Sequence, residues 1–146
     1  MSKKEITIIS WNVNGIRAVQ RKGVFVPFVK KYNPDILCLQ ETKAMQGQAE
    51  IDLPEYEEYW NSAERKGYSG TAIFTKTKPL SVINGMPEKI AKKFGLVADG
   101  YGDPQSEGRV VAAEYADFYV VTVYTPNAKD DLSRIPLREK QWDPAF

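Results

Sequence analysis

A chain of 146 residues, 42% hydrophobic and 27% charged, has the size and composition of one ordinary globular domain with its own core. Twenty basic against nineteen acidic residues leave a charge of +1, which neither requires nor excludes a polyanionic partner. One cysteine excludes a disulfide framework, and the absence of histidine excludes Ser-His and Cys-His catalysis.

Met1-Ser2-Lys3-Lys4 is expected to lead straight into a strand with no signal peptide, and no segment has the apolar length of a membrane span. Cytoplasmic is therefore the default location. Glu5 to Trp11, with Ile6, Ile8 and Ile9, predicts a first strand. It ends in Asn12-Val13-Asn14-Gly15, a tight turn in which Asn14 or Gly15 takes a positive φ. Asn12 directly follows the strand and is the better ligand-facing amide. For Asn14, turn-forming and functional roles both stay open. Ile16 to Tyr32 has helical spacing, but Pro27 belongs only in a first turn, so the regular helix is placed from near Val26. Arg17, Arg21 and Lys22 then form a basic cluster in the preceding loop.

Asn33-Pro34 breaks that helix, and Ile36-Leu37-Cys38-Leu39 is an apolar run without alternation, as in a strand buried on both faces. Cys38 reads as a small buried hydrophobe. Polarity then switches on abruptly with Gln40, Glu41, Thr42 and Lys43, at the strand's carboxyl end, where α/β sheets hold ligands. Ala44 to Asn61 reads as a short helix, a break at Leu53-Pro54 and a strand. Gly67 to Gly70 is a turn into the central strand Thr71 to Thr75. Leu80 to Phe94 is ambiguous, and Leu96 to Gly108 is mostly loop. Arg109 to Tyr115 and Phe118 to Tyr124 make a hairpin about Ala116-Asp117, with the second strand apolar on both faces. It delivers Tyr124 and Asn127 to a strand end. Ser133 to Phe146 is charged and amphipathic.

A single carboxylate beside neutral amides suits Mg²⁺, which keeps most of its waters and binds through one or two carboxylates plus phosphate oxygens. Tyrosine, asparagine and lysine are donors of the kind that stabilise a phosphoryl transition state. The residues alone thus point to metal-assisted phosphate chemistry.

Five strings carry a resemblance: Ser10 to Arg17, Leu39 to Lys43, Gly67 to Phe74, Glu107 to Val110, and Tyr124 to Ala128. In this order they resemble exodeoxyribonuclease III and the apurinic/apyrimidinic endonucleases of the endonuclease/exonuclease/phosphatase superfamily. The resemblance implies an α/β fold, a mixed sheet with helices on one face, forming half of a four-layer DNase I-like sandwich. It implies Mg²⁺- or Mn²⁺-dependent hydrolysis of DNA phosphodiesters at abasic sites and 3′ ends, with double-stranded DNA as partner. It assigns Glu41 and Asn12 to the metal, Tyr124 to catalysis, and Asn127, Lys43 and Arg17 to phosphate and DNA. Asn14 stands where some members carry a metal-associated aspartate.

The family's histidine with its aspartate partner, and its Asp-x-Asn pair, have no counterpart here, so residues 1–146 resemble an N-terminal half with part of the site. Two function classes follow: a DNA-repair nuclease represented by that half, or a catalytically inactive fold fragment or designed half-domain that self-associates. A phosphatase of lipid or inositol head groups is a cousin reading, disfavoured by the strings around Tyr68 and Tyr124. Because Ile36 to Leu39 and Val120 to Val123 are apolar on both faces, one face of their sheet is expected to lack cover within the chain. A homodimer through that uncovered face is the corresponding expectation.

Overall fold

The structure, a computed structural model, describes residues 5–146; Met1 to Lys4, and with them the expected lead-in to the first strand, lie outside the described residues. Two sheets pack face to face. The first has the order β1-β2-β4-β3, built from Ile8–Asn12, Ile36–Gln40, Thr71–Thr75 and Glu57–Asn61 in that spatial order. β1 and β2 run parallel, and the other pairs are antiparallel. The second sheet has the order β5-β6-β7, from Ser81–Asn84, Val110–Glu114 and Tyr119–Val123, all antiparallel.

The alternation of strand side chains sends Leu37, Leu39, Ala72 and Phe74 to one face of the first sheet. There they meet Ile16, Phe25 and Val29 from α1 (Ile16–Arg21) and α2 (Phe25–Tyr32). Ile36, Cys38 and Ile73 point the other way, onto Val111, Ala113 and Val120 of the second sheet. This is why Ile36 to Leu39 of β2 and Ala72 to Phe74 of β4 are apolar on both faces. A third cluster, Met86, Ala91, Leu96, Val110, Leu137 and Trp142, closes one end of the second sheet under α3 (Glu88–Lys93) and the C-terminal helical segment. That segment is α4 (Ile135–Leu137), a π-helical turn (Arg138–Trp142) and α5 (Asp143–Ala145). No helix among the described residues is long and apolar enough to cross a membrane.

Several expectations need correction. β1 starts at Ile8, not Glu5, because Thr7 instead bonds with Asp35: its N–H donates to the carboxylate at 2.8 Å and its carbonyl accepts from the Asp35 N–H at 2.9 Å. Residues 16–32 form two helices, since Gly23 at φ +66° ends the first. Arg17 and Arg21 therefore sit on a helix, not in a loop. No helix forms between Ala44 and the start of β3: Gly47 takes φ +85°, and the Gln48 side chain accepts from the Met45 N–H at 2.9 Å in a local turn. The ambiguous stretch resolves into β5 and α3.

The largest correction concerns the covering of β2. β2 and β7 belong to different sheets, and the inner face of β2 is covered by the chain's own second sheet. Nor is β7 apolar-buried on both faces, because Tyr119 and Val121 are exposed while Val120 and Thr122 are buried. The uncovered apolar surface is the outer face of the second sheet, where Ile83 and Val121 flank Ala112 in one cross-strand row.

Phe74 is fully buried between Phe25 and Trp60, with ring centroids 5.9 and 5.8 Å away. Phe74→Ala is expected to lower unfolding free energy by about 3–5 kcal/mol in denaturant titrations. A loss under about 1 kcal/mol would show that this layer collapses around the hole.

Candidate active site

β1 and β2 leave their ladder side by side, and the backbone keeps them joined. The N–H groups of Val13, Gly15 and Ile16 donate to the carbonyls of Gln40, Glu41 and Thr42 at 3.0, 2.7 and 3.0 Å. On the other edge, the N–H groups of Thr42 and Lys43 donate to the carbonyls of Gly70 and Ser69 at 3.1 and 2.8 Å. The tail of β2 is thus held from both sides. Asn14, Glu41, Lys43 and Ser69 all take positive φ, between 43° and 53°, a conformation non-glycine residues adopt at some cost. Four such residues in adjoining segments concentrate backbone strain at this end of the sheet.

Within this frame Asn12 donates its amide N–H to Glu41 Oε1 at 2.8 Å, while its Oδ1 accepts the Asn14 N–H at 3.0 Å. Lys43 Nζ lies 3.3 Å from Glu41 Oε2 and donates to Asn14 Oδ1 at 2.6 Å. The Tyr124 phenol arrives from the end of β7 near enough to Glu41 for each group to shift the other's pKa. Burial works to raise the Glu41 pKa, but the hydrogen bonds from Asn12, Tyr124 and Lys43 and the Lys43 charge outweigh it and hold the carboxyl below its usual range. Burial and the neighbouring carboxylate push the Tyr124 phenol up to about 12. At neutral pH the site offers one carboxylate, one protonated phenol, one ammonium and amide groups.

Of the residues singled out in the sequence, Asn12, Glu41, Lys43 and Tyr124 meet. Arg17 stands next to them on α1, donating to the Lys43 carbonyl at 3.3 Å, and with Lys43 and Gln20 it lines an open groove of about 740 Å³. Asn127 is exposed three residues beyond Tyr124, and among the described residues no hydrogen bond joins its side chain to the cluster. Asn14 is both a turn former and a partner of Lys43.

Sequence reasoning missed a buried ionic group behind Tyr124. Arg109, 2% exposed, reaches Glu107 Oε2 through Nε at 2.5 Å, the Tyr124 carbonyl at 3.0 Å and the Tyr68 hydroxyl at 3.1 Å. Glu107 also accepts from Arg134, whose Nε donates to Asp99 at 2.7 Å. Two arginines and two carboxylates balance. The chain can approach so closely here because Gly108 has φ +61° and its Cα faces the Asn61 carbonyl and the Ala63 N–H, where a Cβ would collide. The only sequence signal was a charged Glu-Gly-Arg opening an apolar strand.

Two packed sheets with helices outside them, bearing this cluster at one end, form a DNase I-like α/β arrangement. The chain belongs to the Endonuclease/Exonuclease/phosphatase family, which residues 9–143 match. It is 46% identical over 139 residues to an exodeoxyribonuclease of Bacillus subtilis (strain 168), covering 95% of this chain and 50% of that one. It is 43% identical over 145 residues to the DNA repair nuclease APEX1 of Danio rerio, covering 95% of this chain and 42% of the relative. The crystal structure of the AP endonuclease LMAP from Leishmania major aligns with a TM-score of 0.70 at 28% identity, over 96% of this chain and 46% of that one. The chain spans about half the length, 50% and 42%, of these curated relatives. The resemblance read from the five strings therefore holds.

Asp99 gives a pH test of the ionic group. Burial raises its pKa, but the Arg134 guanidinium and the Tyr101 and Gly102 N–H groups lower it further, so the folded value lies below the ordinary 3.8. A depressed carboxylate contributes stability that is present above the unfolded pKa and lost as pH falls through the folded one. Wild type is expected to be more stable than Asp99→Asn at pH 7, with the gap narrowing below about pH 4. Denaturant titrations at several pH values check this; a gap that stays constant into acid would contradict it.

Proposed function

We propose that this chain carries part of the divalent-cation and phosphate site of a DNA-repair nuclease that hydrolyses phosphodiesters at abasic sites and 3′ ends. The observation that carries the reading is the ionised Glu41 carboxylate, held at the strand ends between the Asn12 amide, the Tyr124 phenol and the Lys43 ammonium. Support also comes from the relatives, an exodeoxyribonuclease and a DNA repair nuclease, and from a similar structure, 26% identical with a TM-score of 0.65, described as a 3′ phosphatase bound to product DNA hairpin.

The donor set fits a hard ion such as Mg²⁺ or Mn²⁺: one ionised carboxylate, with waters and substrate phosphate oxygens for the remaining places. Glu41 would hold the ion and Asn12 would fix the carboxylate's orientation. Bound there, the ion supplies positive charge to a phosphoryl oxygen. Among the described residues no group of three or more His, Cys, Asp or Glu could hold a metal, so binding is expected to be weak. Tyr124 and Lys43 donate toward phosphate oxygens, and Arg17 and Asn127 address the backbone of double-stranded DNA. No imidazole exists in the sequence to deprotonate water, so this chain is proposed to bind and orient DNA without cleaving it.

A second reading, an inactive half-domain that self-associates, would use the exposed Ile83, Tyr119 and Val121 on the outer face of the second sheet. It places the homodimer interface there.

Fluorescence anisotropy with an abasic-site duplex and Mg²⁺ tests the nuclease reading. Affinity should fall steeply with salt, show no sequence preference, and lose about one unit of salt slope in Arg17→Ala. Salt-independent binding, or binding that discriminates between duplex sequences, would overturn it. If concentration-dependent dimers form and no duplex binds, the second reading replaces the first.

A further inference from the structure

The site uses Lys43 and Arg17 at its surface, whereas Arg109 lies beneath it with almost no exposure. A guanidinium this deeply placed does not reach a phosphate, so its chemistry must be spent on the protein. Arg109 holds Tyr124 in three ways, once through its main chain and twice through the guanidinium. The Arg109 carbonyl accepts the Tyr124 N–H at 2.8 Å, one Nη donates to the Tyr124 carbonyl at 3.0 Å, and the guanidinium carbon lies 5.1 Å from the centre of the Tyr124 ring. The other Nη donates to the Tyr68 hydroxyl at 3.1 Å, and the Tyr68 ring centre is 5.8 Å away.

A planar fork spreads its donors over three nitrogens and so reaches a carboxylate, a carbonyl and a hydroxyl in different directions while lying near two aromatic rings; an ammonium carries its three donors on one nitrogen and lacks that spread. Glu107 fixes the fork's direction, and Arg134 fixes Glu107, so the arrangement has a single orientation. The residue after Tyr124 leaves the ladder, which makes Tyr124 the last anchored position before the Thr125 to Ala128 loop. Arg138 then holds that loop from the other side, donating to the Pro126 carbonyl at 3.1 Å.

We propose that Arg109 is the positioning residue for Tyr124, fixing its main chain and ring, together with Tyr68, as one unit facing Glu41. It acts through the two tyrosines and touches no substrate. The proposal rests on the reading of Tyr124 as a phosphate-facing group, and it assigns to a buried arginine the placement that the proposed nuclease site requires.

The test is NMR of the full chain with ring-¹³C tyrosine, Tyr124 being assigned from Tyr124→Phe. In Arg109→Lys and Arg109→Met the Tyr124 and Tyr68 ring signals are expected to shift and broaden. Tyr56, whose hydroxyl is tied to the Pro34 carbonyl at the opposite end of the sandwich, should stay in place. Lysine keeps the charge but cannot fork, so it should not restore the wild-type Tyr124 signals. In a folded variant, unmoved Tyr124 signals overturn the proposal, and so does a change spread evenly over all tyrosines, which marks general loosening. Should the buried substitutions prevent folding, Tyr124→Leu supplies the reverse measurement. The Arg109 Nε–H signal is expected to shift while that of Arg134 holds, and an unmoved Arg109 signal overturns the proposal. None of these readouts needs DNA, metal or turnover, so they remain decisive if the nuclease reading fails.

Discussion

The tail of β2 is the part on which the site depends, because it is hydrogen-bonded along both edges after the strand itself has ended. Three N–H groups from the segment between β1 and the first residue of α1 reach its carbonyls, and two of its own N–H groups reach the turn before β4. Glu41 and Lys43, two apart, both take positive φ, while Thr42 between them is fully buried. The cost is visible. Each left-handed non-glycine residue costs on the order of 1–3 kcal/mol, and the Thr42 and Ser69 hydroxyls are buried with no hydrogen-bond partner among the described residues. The five main-chain hydrogen bonds and the fully buried Leu37, Leu39, Ala72 and Ile73 below offset that strain. A carboxylate placed this way has its geometry fixed in advance.

The second sheet contributes the other half of the cluster, and two polar links keep it in register. Gln40, the last residue of β2, donates to the buried Thr122 hydroxyl of β7 at 2.9 Å, two residues before Tyr124. Further out, the Asp99–Arg134–Glu107–Arg109 group ties the loop before β6, the start of β6 and the C-terminal helical segment to the same point. Removing one member of such a buried group leaves an uncompensated charge, typically at a cost of about 3–5 kcal/mol. The interior of this end of the molecule is therefore polar and rigid. The inner faces of the two sheets rely on ordinary apolar packing.

Much of the site was legible in the sequence because strand ends announce themselves: Ile36 to Leu39 is apolar and Gln40 to Lys43 is not, and Val123 gives way to Tyr124 in the same manner. The order of five short strings then carried the family. Pairing between strands was not legible. Ile36 and Val120 are both apolar, and nothing local tells whether they lie in one sheet or face each other across two. They face each other, which removed the basis for an uncovered β2 face and moved the exposed apolar surface to Ile83 and Val121. The six-residue α1 was hidden because it follows Gly15, at φ +100°, without a side-chain cap, and stops before a second glycine. Arg109 lay inside one of the five strings, but the ionic group it forms with Arg134 was not legible, since some partners lie up to 41 residues away in the chain.

The most direct measurement is a Mn²⁺ titration followed by paramagnetic broadening of backbone amide signals, in wild type and in Glu41→Gln. Glu41 is the one carboxylate in the cluster, held ionised by Asn12, Tyr124 and Lys43. Wild type is predicted to show weak, saturable broadening centred on residues 12–15, 41–43 and 124, and Glu41→Gln to lose it with its fold intact. Equal broadening around residue 41 in both proteins would contradict the assignment of Glu41 as the cation's ligand.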